Sequence, residues 1–213
     1  MTKPYNHRDK FFKKAKASGL RARSFFKIEE IDQRLHLLRP GMHVLDLGAA
    51  PGSFMQYAVR NLGHGGYVLG VDLSLMQPVG GLAKSEVLQG DIFTEETHAL
   101  VREKHPAPFD AVVSDLAPKT TGMKDVDHWS SIELSYEVLR YAKEHLKRGG
   151  PCLMKVFQGE DFDRFLRHTK KLFRDVRIVK PDATRDRSRE VYVVGLGFTG
   201  EGKTPKTIQS PTE

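Results

Sequence analysis

The chain has a single cysteine, Cys152, in 213 residues. One thiol excludes an intrachain disulfide framework and a thiolate metal cluster. The nine histidines show no H-x-x-x-H pair or other ligand spacing, so no metal is expected. Long apolar runs are missing as well. None approaches the roughly 18 residues that span a bilayer, and the N-terminus, Met-Thr-Lys-Pro-Tyr-Asn-His, has no apolar signal core. A soluble, unexported, cytoplasmic protein is expected. A basic, acid-poor N-terminus is also the composition of an organelle transit peptide, and that reading stays open at this point.

What is present is a globular composition and an uneven charge. Hydrophobic residues make up 39%, with 19 Gly and 11 Pro, which is neither disordered nor fibrous. The length suits one domain with a proper core, with or without an appendage. The formal charge is +7. Residues 1–27 hold nine basic side chains and one acid, and residues 164–189 hold ten and three. Between them, residues 28–163 hold 13 basic and 20 acidic groups, and residues 190–213 come to −1. A single run of cations reads as a solvated face. Two runs interleaved with aromatics (Phe11, Phe12, Phe25, Phe26, then Phe165 and Phe173) point to a polyanion, because clustered cations release counterions from phosphates. The acidic segment between them is suited to a cationic or neutral ligand.

From residue 43 onward short apolar runs alternate with helical stretches, the pattern of a parallel sheet wrapped by helices. Strands are expected at 43–47, 66–72, 85–88, 109–114, 151–157, 175–180 and 190–197, and helices at about 53–62, 94–104, 129–147 and 160–173. Phe25, Ile28, Ile31 and Leu35 form one stripe of an earlier helix with Lys27 at its flank. The expected fold is α/β: a Rossmann-like, doubly wound, seven-stranded, mostly parallel sheet with helices on both faces, ending in an antiparallel strand. The expected division is a basic arm over 1–24, a domain over 25–198 and a mobile tail over 199–213, which has no apolar period.

After the first strand, residues 46–52 read Asp-Leu-Gly-Ala-Ala-Pro-Gly. Gly48 and Gly52 are spaced G-x-x-x-G, so the G-x-G-x-x-G loop that seats a dinucleotide pyrophosphate is absent. Asp46, before the first glycine, argues further against a bound anion and suits a ligand with a positive end, such as the amino group and sulfonium of S-adenosylmethionine. Asp72 ends the second strand, where a carboxylate accepts from ribose hydroxyls. Asp91, after the third, can reach an adenine amino group, and Asp115 ends the fourth. Each acid alone reads as a cap or turn residue, but four at successive strand ends lie where open α/β sheets bind ligands.

The run after the fourth strand, Ser114-Asp115-Leu116-Ala117-Pro118, lacks the Asn/Asp-Pro-Pro-aromatic sequence of base-amine methylation. Cys152, in mid-strand, is poorly placed as the nucleophile of pyrimidine C5 chemistry. An oxygen target gains from both. Lys155 interrupts the apolar run of Cys152, Leu153, Met154, Val156 and Phe157. It must be paired with a strand-end acid, or have its basicity lowered by desolvation and nearby cations as a general base requires. Glu190 is a plausible partner in either case.

These residues resemble the FtsJ/RrmJ family of S-adenosylmethionine-dependent ribose 2′-O-methyltransferases, over about Gly19 to Phe198. The resemblance rests on RARSFFKI at 21–28, DLGAAPG at 46–52, SDLAP at 114–118, KVFQG at 155–159, Lys180-Pro181 and SREVY at 188–192. It implies a catalytic tetrad of Lys27, Asp115, Lys155 and Glu190. In that set Lys155 is the base on the 2′-hydroxyl, Asp115 and Glu190 position and tune it, and Lys27 supplies positive charge. It implies cofactor contacts at Gly52, Phe54, Asp72, Asp91 and Asp115. It also places Lys27 within the fold rather than in a transit peptide.

The activity it implies is methylation of a uridine ribose in large-subunit (23S) ribosomal RNA, by a monomer acting on the RNA or on the large subunit. Alternatives are the same reaction on a transfer RNA anticodon loop, and a non-catalytic RNA-binding assembly factor. A nicotinamide-dependent dehydrogenase is disfavoured by the glycine spacing. The chain departs from the family at Ser53-Phe54, where Gly-Trp is frequent, and at Lys119, where Asn is frequent.

Overall fold

The computed structural model of the protein describes residues 7–184 and 188–200, with side chains from Lys10 onward. Lys3, Arg185, Arg187 and residues 201–213 of the expected tail lie outside the described residues. The elements run in the order α1 (His7–Ala17), α2 (Phe25–Leu35), β1 (His43–Leu47), α3 (Ser53–Asn61), β2 (Tyr67–Asp72), β3 (Lys84–Gln89), α4 (Glu95–Lys104), β4 (Ala111–Ser114), α5 (Lys124–His145), β5 (Cys152–Phe157), α6 (Phe162–Thr169), β6 (Phe173–Val179) and β7 (Glu190–Phe198). Among the described residues no helix is long and apolar enough to cross a membrane.

The strands form one sheet in the order β3-β2-β1-β4-β5-β7-β6. β1 to β5 pair in parallel, and β7 is antiparallel to both neighbours. Strand alternation divides the core into two layers. Val44, Val113, Leu153 and Val194 face α2 and α3, whose Ile28, Ile31, Met55 and Val59 cover that side. Leu45, Val112, Met154 and Val193 face the opposite layer, with Val101, Ile132, Leu139 and Phe165 of α4, α5 and α6. The expected doubly wound sheet with helices on both faces therefore forms. From β1 the chain winds outward to β3 and then returns to β4, which puts the topological switch point between β1 and β4, where such sheets open a crevice at their carboxyl ends.

Local differences from the periodicity have identifiable causes. Helix α5 starts at Lys124, ahead of the apolar stripe. Its first turn is secured by the Asp127 carboxylate, which accepts from the Thr121 and Gly122 amides at 2.7 and 3.3 Å. Helix α6 ends at Thr169 and β6 already begins at Phe173, which is buried and paired with Phe198 across the β6–β7 ladder. The antiparallel strand is not at the sheet edge: β7 inserts between β5 and β6. Of the residues expected to form a basic arm, α1 packs on the domain, with Phe11 and Phe26 rings 5.6 Å apart and Lys14 Nζ 4.6 Å from the Phe26 centroid.

Candidate active site

Lys155 lies directly opposite Tyr192 in the β5–β7 register, and Glu190 precedes Tyr192 by two on the same strand, hence on the same face. That face is covered by α2, which is anchored by Phe25, Ile28 and Ile31 and carries Lys27 into the same space. Asp115 follows β4 at the switch point. The structure thus brings together all four residues expected to be catalytic, from α2, β4, β5 and β7.

Their contacts form two ion pairs. Lys155 Nζ donates to the Asp115 carbonyl oxygen at 2.5 Å and to Asp115 Oδ1 at 2.9 Å. Lys27 Nζ lies 2.5 Å from Glu190 Oε1. Tyr192 links the pairs: its hydroxyl donates to the same Asp115 Oδ1, and its ring stands 5.7 Å from Lys27 Nζ. Lys27 and Lys155 are buried. Burial pushes the Asp115 carboxyl upward, but the Lys155 and Lys27 charges and the Tyr192 hydroxyl outweigh it and hold the group below the usual carboxylate range. Burial, reinforced by Asp115 and Glu190, raises the Tyr192 phenol, so it stays a donor. Sequence reading did not single out Tyr192; its signal is the two-residue spacing from Glu190 in a strand.

The acids at the ends of β1 and β2 behave differently. Asp46 is 1% exposed, and among the described residues neither of its oxygens has a hydrogen-bond partner of good geometry, the Met55 backbone giving only a weak contact. Burial, then the Asp115 and Asp72 charges, push its carboxyl well up. A buried acid without a cationic partner, close to Asp72 and Asp115, fits a ligand that brings a positive charge. Ser53 Oγ, at the first position of α3, is also buried without a hydrogen-bond partner among the described residues. Asp72 Oδ2 accepts from the Ala50 amide at 2.9 Å and Oδ1 from the Ser74 amide at 2.7 Å. It therefore fastens the glycine loop and keeps acceptor capacity for a hydroxyl. Asp91 Oδ1 accepts from the Phe93 amide at 3.0 Å, and the residue is partly exposed. This donor and acceptor set fits S-adenosylmethionine: an acid for its charged end and two further acids for its polar nucleoside.

The other two expected contacts are placed less directly. Phe54 is 2% exposed and stacks on Tyr192, with centroids 6.3 Å apart, so its ring supports the floor of the site. Gly52 adopts φ +105°, and a Cβ there would lie 2.5 Å from Arg21 Nη1. Gly48, at φ +76°, lies so close to the loop after β4 that a Cβ would strike Leu116 at 2.5 Å. Arg21, read in the sequence as part of a phosphate-binding arm, donates to the carbonyls of Pro51, Gln77 and Pro78 at 3.0–3.1 Å. It ties the glycine loop to the β2–β3 connection.

The second basic run is divided. Because β6 runs parallel to β5, the loop after it returns to the carboxyl edge beside α2, where the Asp182 amide donates to Glu30 at 2.8 Å. Arg189 Nη2 donates to the Lys124 carbonyl at 2.6 Å across that edge. The basic residues of α6 belong to the other helical layer. The exposed Lys119 follows the Asp115 loop.

Comparison with known proteins agrees with this fold. The profile of the FtsJ-like methyltransferase family matches residues 20–198. The ribosomal RNA large subunit methyltransferase E of Desulfatibacillum aliphaticivorans is 47% identical over 194 residues, covering 91% of this chain and 92% of that protein. The protein of the same name from Myxococcus xanthus is 43% identical over 197 residues, covering 92% of each. A solved Plasmodium falciparum chain, assigned to the ribosomal RNA methyltransferases, superposes with a TM-score of 0.73 at 25% identity, covering 85% of this chain and 100% of that one.

Proposed function

The chain belongs to the FtsJ-like methyltransferase family, whose members depend on S-adenosylmethionine, and on that premise we propose that it methylates a ribose 2′-oxygen of large-subunit (23S) ribosomal RNA, at a uridine. The observation that carries this reading is the Lys155–Asp115–Tyr192 contact, held beside the switch point with the Lys27–Glu190 pair behind it.

Asp46, Asp72 and Asp91, with the backbone at Gly52, would hold the cofactor, and Asp115 closes that pocket toward the substrate. When bound, S-adenosylmethionine supplies an electrophilic methyl group on a sulfonium. A ribose hydroxyl is a weak nucleophile, and a base positioned on its proton makes the oxygen reactive. Lys155 Nζ takes that proton as the neutral amine, having first released its own ammonium proton. In that form its two N–H groups donate to Asp115, fix the nitrogen's position and leave its lone pair for the hydroxyl. Tyr192 restrains Asp115 Oδ1, so the base is oriented before substrate arrives. Lys27, held in place by its ion pair with Glu190 and 5.7 Å from the Tyr192 ring, keeps an ammonium near the position where negative charge develops on the oxygen.

RNA lies across the carboxyl edge. The exposed Lys119 and the cations of α1 and of the 180–189 loop contact phosphates there. The names of the relatives support ribosomal RNA over transfer RNA as the substrate. The test is a map of 2′-O-methyl positions in ribosomal and transfer RNA from cells with and without this protein. Loss of one 23S uridine methylation is expected. Loss confined to an anticodon loop would reassign the substrate, and no change in either would remove the activity.

A further inference from the structure

A second cluster of ionisable side chains lies in the opposite helical layer, away from the tetrad. His98 projects from α4, and Glu144 and His145 close α5. One ligand atom from each lies within 4.8 Å of the others. His98 Nδ1 is 3.0 Å from Glu144 Oε2, and His145 Nε2 is 3.9 Å from the same oxygen. Both imidazoles are buried, at 0% and 4% exposure; among the described residues His145 Nε2 has no hydrogen-bond partner, and His98 Nδ1 meets Glu144 Oε2 at 3.0 Å without the geometry of a hydrogen bond. Two nitrogens without a well-formed hydrogen bond therefore converge on one carboxylate oxygen. Buried polar groups are almost always satisfied, so this arrangement calls for a missing partner.

We propose that His98, His145 and Glu144 bind a divalent transition-metal ion, zinc by its donor preference, which clips α4 to the end of α5. Nitrogen and oxygen donors of this kind suit zinc and disfavour magnesium or calcium. Tetrahedral zinc bonds of about 2.0–2.1 Å would set donor atoms roughly 3.3 Å apart; the two nitrogen–oxygen separations are 3.0 and 3.9 Å and the two nitrogens lie within 4.8 Å of each other, so the side chains close in on the ion as it binds. The outer contacts agree: His98 Nε2 lies 3.0 Å from Glu137 Oε1, the carboxylate support that orients a metal-bound imidazole through its other nitrogen. Tyr141 stacks on His98 with centroids 3.8 Å apart and holds the ring plane. Arg102 and Arg140 also reach Glu144, at 3.1 and 3.3 Å. Arg102 is half exposed and can leave Oε2 to the ion. The absence of a paired-histidine motif in the sequence is no obstacle, because the histidines come from different helices.

The test uses the full chain, freed of metal with a chelator and titrated with Co²⁺ and then Zn²⁺. The expected result is one equivalent of Co²⁺, with the visible absorption of a four- or five-coordinate nitrogen–oxygen site, displaced by Zn²⁺. Glu144→Gln and His145→Gln should each weaken zinc binding at least tenfold, and Glu137→Gln about tenfold. Zinc in hundredfold excess over its dissociation constant should raise the thermal midpoint of the wild type by several degrees and leave that of Glu144→Gln unmoved. Should His145→Gln fail to fold, Glu144→Gln decides alone, because its side chain is 32% exposed. Absence of saturable uptake, or uptake unchanged in Glu144→Gln, would overturn the site.

Discussion

The two halves of the crevice are built on opposite electrostatic plans. At β4, β5, β7 and α2 every buried charge of the tetrad has a partner in place: Lys155 with Asp115, and Lys27 with Glu190. In β1, Asp46 is buried with no cationic partner among the described residues. The paired half is organised before any ligand arrives, as a site that must orient a base requires. The unpaired half is held at an energetic disadvantage that a cationic ligand relieves on binding. The same residue type, aspartate, thus does two jobs according to whether an ammonium lies beside it.

The largest expected effect tests the paired half. Lys155→Ala should reduce RNA methylation by about 10²–10⁴-fold, the usual span for a lost general base. Cofactor affinity, measured by calorimetry, should stay nearly unchanged. A variant with near-normal turnover would remove Lys155 from the role of base.

The next separates the halves by removing one acid from each. Asp46→Asn should weaken cofactor binding by about tenfold, or ~1.4 kcal/mol, while the cofactor-free protein melts no lower than wild type. Asp115→Asn should melt lower. Their pH dependences should have opposite signs. The depressed Asp115 carboxyl contributes stability that is fully present above the unfolded value of about 4 and is lost as the pH falls through its lower folded value. The raised Asp46 carboxyl costs stability above about pH 4, and that cost disappears as the pH falls below it. Thermal melts from pH 3 to 8 should show both differences from wild type shrinking toward acid. A stabilised Asp115→Asn at neutral pH would break the comparison.

The smallest effect concerns the link between the ion pairs. Tyr192→Phe keeps the ring that stacks on Phe54 and removes only the hydroxyl bonded to Asp115. A fall in kcat of about three- to tenfold is expected, the worth of roughly one hydrogen bond, with KM for RNA unchanged. A change in KM alone would move Tyr192 from orienting the base to binding substrate.

Much of this architecture is legible in the chain. Short apolar runs give all seven strands to within a few residues: the central strands, buried on both faces, are nearly continuously apolar, while the edge strands β3 and β6 keep partly exposed polar residues. Lys155 stands out for the same reason, as a cation in such a run. The boundary of α5 was not legible, since Asp127 starts that helix by capping a loop rather than by burying a stripe. The roles of Arg21 and Tyr192 were hidden because both depend on partners far away in sequence: three carbonyls in two loops for one, and Asp115 for the other.

Composition and order by themselves determined the sheet class, the two basic runs around an acidic segment, and the residue types of the site, since periodicity and charge are local properties of a chain. Only the tertiary structure decided which charges are paired. Inserting β7 antiparallel beside β5 sets Tyr192 against Lys155 and Glu190 within reach of Lys27, and it returns part of the second basic run to α2. Packing α4 on α5 likewise aims His98 at His145. Pairing is a matter of a few ångströms between distant segments, and strand order and helix docking set those distances.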